Sequence, residues 1–132
     1  MLTDMFQARV RRWVEECFGP DVADEKLLRN FRFLEEAVEL VQANGMTKDE
    51  VIRIVDYVFD RPQGELRQEV GGVMLTLAAL CAAYDGVDMA TCAEAELLRC
   101  WDRIDQIRAK QKVKNEKMPL RGVAQSDRAP VS

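Results

Sequence analysis

Three observations predict an all-α fold, a four-helix-bundle-like domain with one additional short helix. Apolar residues recur at helical spacing along most of the chain, helix start and stop signals separate the periodic stretches, and no strand-like alternation of useful length occurs. The 132 residues are 48% hydrophobic, which fits one domain with a single core. Residues 1–118 are assigned to that domain and 119–132 to a disordered tail, because periodicity fails after Lys114 while Pro119, Gly122 and Pro130 sit in a polar setting.

The elements follow in order. Phe6, Val10, Trp13, Val14 and Cys17 lie at helical spacing behind Thr3, a candidate N-cap, and Gly19 and Pro20 stop the run. A second helix from about Asp24 to Ala43 carries Leu27, Phe31, Leu34, Val38 and Val41, and ends at Asn44 and Gly45. Thr47 and Glu50 form a capping-box pattern that opens a short third helix to about Phe59. Arg61 to Gly64 read as a turn. The fourth helix runs from about Glu65 to Tyr84 and ends at Asp85 and Gly86. Asp88 or Thr91 caps a fifth, which places Leu97, Trp101, Ile104 and Arg108 on one face and extends to about Lys112.

Composition narrows the chemistry. Nineteen basic against 23 acidic residues leave a net charge of −4, which argues against a general nucleic-acid binder. The charge is uneven, with a local +5 from Arg103 to Arg121 and −9 over the rest of the chain. With no histidine, Ser-His-Asp and Cys-His nucleophiles and His-containing zinc sites are excluded, so carboxylates and bases must carry any reaction. The four cysteines (Cys17, Cys81, Cys92, Cys100) form no Cys-x-x-Cys pair and read as reduced core thiols. The longest apolar run, Val73 to Tyr84, is too short to span a bilayer, and no signal peptide precedes it, so a soluble cytoplasmic protein without membrane contact is expected.

The residue that stands out is Glu69, a lone carboxylate within an apolar helical run. At 100° per residue it shares a face with Leu66, Val73, Leu77, Leu80 and Tyr84, so burial is expected. A buried carboxylate without a partner costs several kcal/mol and therefore neutralises, pairs with a base or binds a cation. One solution is an ion pair with Arg32 or Arg108. The other lies upstream, where Glu35, Glu36 and Glu39 form an acidic cluster on the second helix. Taken alone these three glutamates describe an ordinary solvated helix face. If Glu69 approaches Glu36 and Glu39, within one subunit or across an oligomer interface, the three repel one another unless a hard divalent cation neutralises them, and Mg²⁺ or Mn²⁺ is what such oxygens select.

These motifs resemble the MazG-like, all-α nucleoside triphosphate pyrophosphohydrolases, whose pattern is Glu-Glu-x-x-Glu, a spacer and Glu-x-x-Asp on two helices that together hold Mg²⁺. This chain offers Glu35-Glu36-x-x-Glu39, a 29-residue spacer and then Glu69, over a resemblance that covers roughly residues 5–112. The resemblance implies hydrolysis of a (d)NTP to (d)NMP and pyrophosphate by a homodimer or homotetramer. Glu36, Glu39 and Glu69 would hold Mg²⁺ (or Mn²⁺), Glu35 would act as base or orienting residue, and Arg108 and Lys112 would take phosphate charge. The chain departs from the pattern at Gly72, where the family has its final aspartate. Three outcomes are compatible with that departure: three carboxylates with more water, a fourth ligand from Asp88 or Asp105, or loss of catalysis with ligand binding kept. The reading from another class is a non-catalytic nucleotide binder or helical interaction module whose acids are surface charge.

Overall fold

A computed structural model of the protein describes residues 2–117. Seven helices account for nearly all of them: α1 (Leu2–Phe18), α2 (Pro20–Ala23), α3 (Lys26–Ala43), α4 (Lys48–Phe59), α5 (Leu66–Ala82), α6 (Met89–Asp102) and α7 (Ile104–Lys117). No strand occurs among the described residues, and no helix there is long and apolar enough to cross a membrane. The expected tail, 119–132, lies outside the described residues.

Local chemistry explains the boundaries. At the end of α3 the Met46 N–H donates to the Val41 carbonyl and the Gly45 N–H to that of Gln42, a Schellman closure that needs the left-handed φ of 89° found at Gly45. The capping box forms as expected: the Glu50 N–H donates to the Thr47 hydroxyl at 3.2 Å, and the Thr47 N–H donates to the Glu50 carboxylate at 2.8 Å. Of the two candidate caps for α6, Asp88 takes the role, its carboxylate accepting from the Thr91 N–H and hydroxyl.

Three expectations are corrected. The fifth periodic segment is two helices, because α6 stops at Asp102 and the Arg103 N–H bonds the Cys100 carbonyl three residues back. Beyond Gly19 the chain makes the extra turn α2, with Pro20 at its first position, where a missing N–H costs nothing. Thr3 lies inside α1 and does not cap it.

The described residues divide into two compact units: residues 2–35 with 94–117, and residues 36–93. All five buried apolar residues (Val14, Cys17, Ala23, Leu28 and Leu97) belong to the first unit. Val14 and Cys17 continue the stripe that the α1 periodicity predicted. Leu28, the most deeply buried, packs against Val22 and Leu27. Arg9 bonds Glu94 and ties α1 to α6. The cysteines are all free thiols, yet Cys92 is exposed, so the core assignment fails for that one.

The second unit is different in kind. It contains the end of α3, all of α4 and α5 and the start of α6, and none of its described residues is buried. Fifteen of its large apolar residues are 37–84% exposed, headed by Phe59 and Leu66 on either side of the α4–α5 turn. At the usual area of an apolar side chain this leaves on the order of 1,000 Å² of apolar side-chain surface in water, summed over the fifteen. The sequence pattern told which faces were apolar, and among the described residues these faces stay exposed.

Candidate functional site

The acidic residues fall into two settings. Glu35 lies in the first unit, on α3, and is drawn towards α7. Its Oε1 accepts from Lys114 Nζ at 2.9 Å and from Arg32 Nη1 at 3.2 Å. Burial pushes its carboxyl pKa up, but the hydrogen bonds from Lys114 and Arg32 outweigh that and hold it below the ordinary glutamate value. A carboxylate stabilised in this way is a weak base. Of the two roles expected for Glu35, the geometry therefore suits orientation better than proton abstraction.

Beside Glu35 lies a hollow of about 570 Å³ lined also by Ala109, Lys110, Val113, Lys114 and Lys117. Three lysines at i, i+4 and i+7 of α7 thus face the same space. The sequence reading passed over them in favour of Arg108 and Lys112, although their helical spacing was legible. Lys112 is exposed and does not line this hollow. Arg108 is engaged elsewhere: Nε donates to the Cys17 carbonyl at 2.7 Å and Nη2 to that of Glu16 at 2.8 Å. Those are terminal carbonyls of α1, which lack partners within the helix and carry the negative end of its dipole, so Arg108 caps α1.

Glu36, Glu39 and Glu69 belong to the second unit, and each is exposed. The expected burial of Glu69 is corrected. Its helix face is apolar as read, but that face has no cover in the single chain. The alternative of an ion pair with Arg32 or Arg108 is also not found, because Arg32 pairs with Glu35, and the acid nearest Arg108 is Asp105 at 3.7 Å. Glu69 instead lies in the first turn of α5, where the positive end of the helix dipole favours a carboxylate. It folds back on the α4–α5 turn so closely that a methyl group added at Gly64 would meet its Oε1 at 2.6 Å. There it borders a hollow of about 850 Å³ shared with Val58, Phe59, Arg61, Pro62, Gln63, Gly64 and Leu66.

Among the described residues no group of three Asp, Glu or Cys side chains is placed to hold an ion. Gly72, where a fourth carboxylate would be expected, has open space around it, as does Gly71, so neither glycine is required by a close helix crossing within the chain. Trp13 packs edge-on against Phe18, with centroids 5.8 Å apart, as its core-like periodicity predicted. Trp101, by contrast, remains 37% exposed.

No family model matches the chain. No curated protein and no solved structure matches it either.

Proposed function

We propose that this chain is the protomer of an oligomeric α-helical nucleoside triphosphate pyrophosphohydrolase, a homodimer or homotetramer, cytoplasmic, that hydrolyses a (d)NTP to (d)NMP and pyrophosphate. One observation carries the reading: the unit that holds Glu36, Glu39 and Glu69 is also the unit with no buried residue and an uncovered apolar α4–α5 surface. A 58-residue segment without a core is not stable alone, so its apolar faces require a second copy. Assembly then supplies the cover that would desolvate Glu69 and bring further carboxylates to it.

Glu36, Glu39 and Glu69 are the residues that would hold Mg²⁺ or Mn²⁺, an ion that when bound polarises a phosphate and neutralises leaving pyrophosphate. The remaining residues act through charge and position. Glu35, kept ionised by Lys114 and Arg32, orients what it touches. Lys110, Lys114 and Lys117 provide the cations that a triphosphate beside carboxylates requires, a role for which Arg108 is less suited because α1 occupies its donors. Lys112, exposed on the same helix, remains available to phosphate charge.

A second reading, a helical interaction module whose acids are surface charge, is favoured by the exposure of all three candidate ligands in the single chain. The two are separated by incubating the full chain with each (d)NTP and Mg²⁺ or Mn²⁺ and measuring pyrophosphate. The enzyme reading expects release that disappears in Glu69→Gln while oligomer mass is kept, and expects Gly72→Asp, for which there is room, to tighten metal binding. No release with any nucleotide, together with melting indifferent to millimolar metal, would establish the interaction module.

A further inference from the structure

The first unit contains a feature that the proposed hydrolysis does not explain. Among the described residues four buried side-chain nitrogens lack a hydrogen-bond acceptor: Trp13 Nε1, Arg29 Nε, Arg29 Nη2 and Arg32 Nε. Every one is a donor. Buried donors in folded proteins are almost always paired, so a group of orphans of one sign marks a missing acceptor.

Two of the three side chains meet the Phe18 ring. Trp13 packs edge-on against Phe18, and the Arg29 guanidinium carbon lies 5.7 Å from the centroid of the same Phe18 ring. Arg32 follows Arg29 by one turn of α3, on the same side of the helix. The electrostatics are one-sided as well. Arg32 has a carboxylate partner in Glu35 and bonds Asn115 through Nη2, while Arg29 has no acidic partner among the described residues. Burial, and then the adjacent Arg32 charge, push the Arg29 pKa below the ordinary arginine value. Arginine cannot respond by losing its proton, so it needs an anion.

We infer that Trp13, Arg29 and Arg32 form a binding site for a phosphate-type oxyanion, at the junction of α1 and the first half of α3. The class follows from the donors. A guanidinium edge presents parallel N–H groups that match two phosphate oxygens, and a tetrahedral oxyanion has further oxygens for the indole and for the second arginine. Arg29 is only partly buried, which gives the anion a route from solvent. Glu35 takes only one edge of Arg32, and none of the three candidate metal ligands belongs to this unit, so binding requires no metal.

The test uses the full chain in metal-free buffer with a chelator. Inorganic pyrophosphate and inorganic phosphate are titrated at constant ionic strength against chloride, with thermal melting and ³¹P line width as readouts. The site predicts that either anion raises the melting temperature and broadens the ³¹P line. Arg29→Gln should abolish both effects, and Trp13→Phe, which keeps the ring and removes the N–H, should weaken binding by on the order of tenfold. Arg29→Lys keeps the charge without the fork and stands in if the glutamine variant does not fold, with the same direction of effect. Arg53→Gln, which removes an exposed charge from the second unit, should bind like the wild type, so the effect is not a general response to lost charge; the metal-free buffer keeps the result separate from the metal reading. Absence of any anion effect in the wild type would overturn the inference. So would an effect that survives unchanged in Arg29→Gln or Trp13→Phe, or melting that rises with protein concentration and ignores pyrophosphate, which would assign the acceptor to a second copy.

Discussion

Phe59→Glu tests whether the α4–α5 surface is an interface. Phe59 closes α4 and keeps 84% of its surface in solvent, so a charged residue costs the isolated chain little; exposed substitutions stay within about 0.5 kcal/mol. In an assembly the expectation is different. Fully burying a phenylalanine side chain is worth roughly 1.5–3 kcal/mol, and nearly all of that gain is still unused at Phe59. A two-fold interface uses the residue twice, so its loss removes about 3–5 kcal/mol per dimer, a weakening of Kd by roughly 10² to 10⁴. A glutamate in its place also carries a desolvation cost that acts in the same direction. Sedimentation equilibrium across a hundredfold range of protein concentration reads the mass directly, and thermal melts over the same range read the linkage of stability to association. The wild type should be larger than its 15.1 kDa chain and melt higher as concentration rises, while Phe59→Glu should dissociate and melt lower. If Phe59→Glu keeps wild-type mass and melting, or if the wild type is a monomer whose melting ignores concentration, the surface does not pair with a second copy at this point.

Two further outcomes follow. Gly71→Ala and Gly72→Ala have open space in the single chain, so each should stabilise the dissociated chain by about 0.5–1 kcal/mol, yet weaken assembly if a partner helix crosses there; unchanged association with both alanines would place the crossing elsewhere. Glu35, whose folded pKa lies below its unfolded one, contributes stability that is present above the ordinary glutamate range near pH 4.3 and is lost as pH falls through the folded value. Glu35→Gln should therefore be less stable at neutral pH and lose less stability on acidification below about pH 4.3, and an identical acid limb in urea melts of both proteins would show that its bonds to Lys114 and Arg32 contribute nothing.

What could be read from the sequence was what depends on neighbours along the chain. The Thr47–Glu50 box, the closure at Gly45 and the Asp88 cap involve residues at most five positions apart, and each forms as its residues require. The break at Arg103 escaped notice because Leu97, Trp101, Ile104 and Arg108 keep helical spacing through it, and periodicity alone cannot register a single kinked residue. The site suffered more, since its decisive facts are long-range. Periodicity established that Glu69 sits on an apolar face but not what covers that face. Charge on α7 was visible, but that Arg108 serves the carbonyls of Cys17 and Glu16, ninety residues away in sequence, required coordinates. Lys110, Lys114 and Lys117 were missed for a different reason: they are ordinary helix-end cations until Glu35 is placed beside them.

The distribution of burial explains why acids of this kind can stay separate in one chain. Three carboxylates brought together without a cation raise one another's pKa values and oppose folding, so a protomer that gathered them alone would be destabilised before any metal arrived. Here the first unit carries the apolar core and pairs Glu35 with Lys114 and Arg32, whereas Glu36, Glu39 and Glu69 sit exposed on a unit whose described residues include none that is buried. On the proposed reading, association then does two things at once: it removes the α4–α5 apolar surface from water, and that gain offsets the cost of desolvating carboxylates around an ion. Metal affinity and assembly must consequently be linked, each strengthening the other by the same factor. A Phe59→Glu protein would then bind Mg²⁺ less tightly although the substitution adds a carboxylate next to the hollow that Glu69 borders, an effect opposite to the one simple charge addition predicts.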